Sequence, residues 1–276
     1  MRLKSTLVTA VSAVLIAGVA LVSSASAASP ADPSAPNGPP AGFVSALAVT
    51  PSDVGTIFQP IQPCRIVDTR NSASGTLGNG GSRSFTVRGT FGFVAQGGNP
   101  SGCGVPTSAT AVSVSVTTTQ SAGAGYLIGW PFGQPQPNTS FGTYNAGLGM
   151  TVGADFILRA TGAEPSLTIA NYGGPTHLII DVNGYYEPQL AGFVEQDGTL
   201  TYSSGRITAV SHPSVGNYDI TFDRTVSQCS FQVTPYGYSW VTAVGPVGSN
   251  QARVYIHDQV APFAQHDTSF HILAIC

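Results

Sequence analysis

From Pro63 to Cys276 the chain is a succession of short strand-like runs cut off by turn residues, and the run Ala111-Val112-Ser113-Val114-Ser115-Val116-Thr117 alternates strictly. A period of two puts Val112, Val114 and Val116 on one face of a strand and mostly hydroxyl side chains on the other. Such a strand has one face in a core and one in water. Further strands are expected at 65–69, 84–88, 126–130, 139–144, 150–158, 166–170 and 177–183. The run 150–158 reads as strand and not helix because Thr151, Val152 and Gly153 are poor helix formers. Seven more runs follow at 199–203, 206–211, 218–223, 229–234, 240–244, 253–257 and 269–275, with turns such as Ser204-Gly205 and Gly216-Asn217 between them. Their count and spacing match a β-sandwich. The fold expected is therefore all-β: two β-sandwich-like domains in tandem, 63–188 and 189–276, divided near Glu187-Pro188-Gln189.

The segment ahead of them is of another kind. Arg2 and Lys4 precede an apolar stretch at 7–22 and the small-residue run Ser23-Ser24-Ala25-Ser26-Ala27. That order is a secretory signal peptide, 1–27, cleaved after Ala27. An uncleaved anchor fits less well, because 16 residues diluted by Thr9, Ser12 and Gly18 fall short of the roughly 20 apolar residues of a membrane span. After cleavage no segment is apolar enough to cross a bilayer. Residues 28–62 are expected to be a Pro/Ala-rich flexible tether and lead-in, with no definite structure assigned to the more apolar stretch 43–61.

Signal removal leaves 8 Arg, no Lys and 13 acids, a formal net charge of 8 − 13 = −5. A mildly acidic chain with no basic cluster has little with which to neutralise phosphates, which argues against nucleic acid and anionic membrane surfaces as partners. Only 8% of residues are charged, so the polar surface must come from Gly, Ser, Thr, Asn and Gln. The location expected is secreted or extracellular, with association at the cell surface.

Four cysteines, at 64, 103, 229 and 276, are read as disulfides in an oxidising compartment, and three connectivities are open. Domain organisation favours Cys64 with Cys103 and Cys229 with Cys276. Each then closes a loop valued at ~4 kcal/mol in the chain-entropy model. A metal site is not expected: there is no close C-x-x-C pair, and His257, His266 and His271 have no spacing that forces convergence. No cofactor motif is present either; Gly78-Asn79-Gly80-Gly81 does not link a strand to a helix and reads as a turn.

Three motifs carry a resemblance: Pro63-Cys64-Arg65-Ile66-Val67-Asp68-Thr69-Arg70, Cys103-Gly104-Val105-Pro106 and Asp181-Val182-Asn183-Gly184-Tyr185-Tyr186. In this order the stretch 63–188 resembles a β-domain of secreted and cell-surface proteins of high-GC bacteria. The stretch 190–276 is similar to a C-terminal companion of such domains. The resemblance implies location and architecture.

Two groups of residues bear on function. On a regular strand Cys64, Ile66, Asp68 and Arg70 share one face, and Asp181 lies within an apolar run, so Asp68, Arg70 and Asp181 are expected to form a structural ion network. The catalytic alternative makes Asp68 and Asp181 the acid and base of a hydrolase. Tyr236, Tyr238 and Trp240 are the candidate ligand-binding residues, since aromatic rings on a rigid β scaffold stack on sugars. Tyr126, Trp130 and Phe132, also on one face of a strand, are assigned to the core. With no nucleophile elbow and every Cys allocated, the expectation is a non-catalytic adhesion or ligand-binding protein with a cell-wall or environmental polysaccharide as partner. A secreted polysaccharide hydrolase and a purely structural surface component are the alternatives.

Overall fold

The computed structural model describes residues 55–276 apart from Thr161 and Tyr238. The expected signal peptide and most of the tether lie outside the described residues. The first half carries β1 (Thr56–Asp68), β2 (Gly81–Phe85), β3 (Ala111–Thr119), β4 (Gly125–Pro131), β5 (Gly142–Tyr144), β6 (Met150–Ile157), β7 (Leu167–Gly173) and β8 (His177–Pro188). The second half carries β9 (Leu190–Val194), β10 (Leu200–Ser203), β11 (Ile207–Ser214), β12 (Asn217–Phe222), β13 (Ser230–Pro235), β14 (Trp240–Pro246), β15 (Gln251–Asp258) and β16 (Phe270–Ile275). They form four antiparallel sheets, ordered β1-β8-β3-β6, β2-β7-β4-β5, β10-β9-β16-β13 and β11-β12-β15-β14.

Alternation sets the first core. Val112, Val114 and Val116 of β3 and Leu178, Ile180 and Val182 of β8 have no exposed surface, and they face Leu127, Leu167 and Ile169 of the second sheet. Burying each such side chain is worth about 1.5–3 kcal/mol as an upper bound. A separate core joins Tyr218, Ile220, Phe222, Val254 and Ile256 to Val194, Phe270 and Ile272. Cys64–Cys103 ties β1 to the segment before β3, and Cys229–Cys276 ties the residue before β13 to the residue after β16. This is the pairing that domain organisation favoured.

Three local expectations need correction. β1 begins at Thr56, not at Arg65, and pairs with β8 from Thr56 opposite Pro188. The partner strand supplies a ladder that local sequence does not announce, and Pro60 and Pro63 are tolerated because β1 is an edge strand. β2 stops at Phe85 instead of running to Arg88, whose guanidinium turns inward to Glu164 at 2.8 Å and to the carbonyls of Ala109, Arg159 and Ala163. β9 was not expected at all. Gly192 interrupts its apolar pattern, because a side chain there would meet Ile207 at 2.5 Å.

Candidate functional site

The β1–β8 ladder sets Cys64 opposite Val182, Arg65 opposite Asp181 and Asp68 opposite Ile179. Two of the three motifs thus meet across one strand pair, and the disulfide at Cys103 fastens the third to them. A register shift between Arg65 and Val67 breaks the alternation, so Ile66 and Val67 are both buried. The strand ends at Asp68, and Thr69–Asn71 forms a single 3-10 turn with Asp68 as its cap. The expected strand face shared by Cys64, Ile66, Asp68 and Arg70 is therefore not formed. Asp68 and Arg70 still pair, through the turn.

Asp68 is 1% exposed and is surrounded by donors. Arg70 donates from Nε at 2.8 Å, from Nη2 at 2.7 Å and from its backbone N–H at 3.2 Å. Asn71 Nδ2 lies at 3.2 Å and Arg65 Nη1 at 3.5 Å. Arg70 holds the Asp68 carboxyl below the usual carboxylate range, outweighing desolvation, which acts the other way. Arg65 also grips Asp181 in a two-pronged contact, Nε at 2.9 Å and Nη2 at 3.0 Å, and this raises its own proton affinity. Arg65 is the missing member of the expected network: it lies between the two carboxylates and touches both. Neither alternation nor spacing identified it, because only the register brings it opposite Asp181.

Around this network the outer face of the first sheet forms an open depression of about 470 Å³ lined by Pro63, Arg65, Ser115, Asp181 and Asn183. Asn183 donates to Ser115 Oγ at 3.1 Å, which fixes both polar groups. Further along β8, the Phe58 and Tyr186 rings lie 5.2 Å apart, and the Tyr186 hydroxyl donates to Asp155 at 3.1 Å. That hydrogen bond raises the affinity of Tyr186 for its proton. Gly184 is required here, since a Cβ would stand 2.3 Å from the Phe58 ring.

The C-terminal aromatic candidates are placed differently from one another. Tyr236 is 39% exposed; Tyr238 lies outside the described residues. Trp240 is half-buried against the second core, 4.8 Å from the His266 ring. His266 in turn pairs with Asp258 at 3.1 Å. Among the described residues no group of three or more His, Cys, Asp or Glu is arranged to hold a metal ion.

The group assigned to the core is the one that is not in it. Tyr126, Trp130 and Phe132 do share a side of β4 and the residues after it, but Tyr126 is 41% exposed, and Trp130 and Phe132 are intermediate. The inward side of β4 is instead Gly125, Leu127 and Gly129. Its glycines are needed because Tyr144 Oη and the Phe156 ring would each lie 2.4 Å from a Cβ there. Residues from other strands fill the core space that β4 leaves.

A second ion network lay beyond sequence patterning. Glu187, 3% exposed at the end of β8, accepts from Arg206 at 2.9 Å and from Arg224. Ser108 Oγ reaches the same carboxylate at 3.2 Å, and Arg206 also binds Asp223 at 2.6 Å. Residues of both halves therefore meet where β8 passes into β9.

Fold and site together define a disulfide-bonded all-β protein with two hydrophobic cores and an arginine-centred ion network beneath an open polar sheet face. The two disulfides fit an oxidising environment. No family model matches the chain, and no curated protein matches it.

Proposed function

We propose that this chain is an exported, non-catalytic binding protein that takes a cell-wall or environmental polysaccharide on the sheet face around Arg65, Ser115, Asp181 and Asn183. The observation that carries this reading is the open 470 Å³ depression lined by fixed hydrogen-bonding groups. A shallow polar trough on a rigid sheet suits a hydroxyl-rich chain ligand better than an enclosed small molecule. Hydrolysis fits less well. Both candidate carboxylates are bound to guanidinium groups, and Asp68 is held ionised, whereas a general acid needs a raised proton affinity. The signal-like N-terminus, the disulfides and the motif resemblance all support work outside the cytoplasm.

The test uses the chain as secreted by an expressing host, with N-terminal sequencing expected to begin at Ala28. Native affinity electrophoresis in hydroxyethylcellulose, galactomannan and arabinogalactan gels is expected to retard the protein in at least one. Retardation should weaken in the double variant Ser115→Ala, Asn183→Ala, with no release of reducing ends. Absence of retardation in every gel would defeat the binding reading. Release of reducing ends that disappears in Asp181→Asn would defeat the non-catalytic one.

A further inference from the structure

We infer that the outer face of the β2-β7-β4-β5 sheet carries a second, aromatic carbohydrate-binding platform, built on Tyr126, Tyr172 and Trp130, for the sugar rings of a neutral polysaccharide. The inference rests on the reading of the ligand class given above, but on a different face of the molecule and on different residues. Tyr126 and Tyr172 are register partners on β4 and β7. Their rings stack with centroids 5.3 Å apart and an interplanar angle of 15°. The Gln136 amide, 3.0 Å from the Tyr172 hydroxyl, holds one end of the pair. Stacking takes one face of each ring and leaves the far side of Tyr126 toward edge strand β5, where its register partner is the small Thr143. Trp130 lies four residues further along the same side of β4, about 13 Å away at strand rise. A chain of sugars, not a single ring, spans that distance.

Charge and area select the occupant. The outward strand positions of this sheet are Ser82, Ser84, Tyr126, Ile128, Trp130, Thr143, Thr168, Ala170 and Tyr172, with no Asp, Glu, Lys, Arg or His among them, and the cation beyond Trp130, Arg159, is laid over the Phe132 ring at 5.2 Å. Ile128 and Ala170, between the tyrosine pair and Trp130, are 5% and 1% exposed, so neighbouring groups cover the middle of this face and the rings toward its two ends are what a sugar chain meets. Strand positions without charge favour an uncharged ligand along them. Three partly exposed rings of at most roughly 250 Å² each do not supply the roughly 800 Å² per partner of a standard protein interface. Sugar C–H faces match such rings, and tyrosine has little rotamer entropy to lose when they bind.

Of the two tryptophans, Trp130 and Trp240, substitution Trp240→Phe leaves Trp130 as sole reporter. Titration of this variant with the polysaccharide that retards the wild type is expected to shift the Trp130 emission. Tyr126→Ala should weaken binding about tenfold, the loss that ~1.4 kcal/mol of stacking represents. Tyr126→Phe, which keeps the ring, should bind as the wild type does. If the wild type binds while Tyr126→Ala binds equally well and Trp130 emission is unmoved, the platform is wrong and the Arg65 face stands alone. Failure of the wild type to bind any of the three polysaccharides overturns both. A Tyr126→Ala protein with an altered melting temperature is replaced by Tyr126→Ser with Tyr172→Ser, judged by the same emission shift.

Discussion

Replacing Asp68 by Asn keeps the shape of a fully buried side chain, removes its charge and turns one acceptor oxygen into a donor. Asp68 accepts from two guanidinium groups, a backbone N–H and the Asn71 amide, and Asn offers an N–H where one of those donors already points. Removing one partner of a buried ion pair costs about 3–5 kcal/mol. The low end applies here, because Arg65 and Arg70 are 43% and 39% exposed at their side chains and recover hydration once released. A loss of about 3 kcal/mol in a sandwich of this size corresponds to a fall in Tm of roughly 10 °C. The pH dependence has a definite sign. Arg70 lowers the folded-state proton affinity of Asp68, so its stabilisation is complete above the unfolded carboxyl value of about 3.9 and is lost as pH falls through the lower folded value. Thermal melts followed by circular dichroism should therefore separate wild type from Asp68→Asn at pH 7, with the gap narrowing as pH falls below the unfolded carboxyl value. Equal melting temperatures at pH 7, or a gap that does not narrow at all between pH 4 and pH 2, would refute the assignment of Asp68 as an ionised structural anchor.

The junction network gives a second measurement: Glu187→Ala takes the buried carboxylate from Arg224 and from Arg206, which keeps Asp223, and is expected to lower unfolding stability by about 3 kcal/mol in urea. A midpoint that does not move would remove Glu187 from the structural account. At Gly129 a methyl group would stand 2.4 Å from the Phe156 ring, so Gly129→Ala should cost about 1–3 kcal/mol by overpacking, with an unchanged denaturant slope as the control. For the C-terminal bridge, the double variant Cys229→Ser, Cys276→Ser opens a loop with a sequence separation of 47 and should lose ~4 kcal/mol on the chain-entropy model. Non-reducing peptide mapping of the parent protein must first recover Cys64 with Cys103 and Cys229 with Cys276.

What the sequence determined by itself was set by local physics. Period-two alternation from Ala111 to Thr117 made β3, Ala111–Thr119, a half-buried strand. Turn residues divided the chain into runs that nearly all became strands, and the even cysteine count pointed to two bridges. Direction and contact were beyond it. Tyr126, Ile128 and Trp130 form the more apolar side of β4, yet that side faces outward, because Tyr144 and Phe156 from other strands already fill the space beneath Gly125 and Gly129. Arg65 became the centre of the ion network only through a register shift and a partner strand 116 positions away, and the lead-in at Thr56 became a strand only because β8 continued to Pro188 to meet it. Alternation shows that two faces differ. Which of them is buried depends on how much volume the opposing sheet brings, and that is decided only when the sheets close on one another.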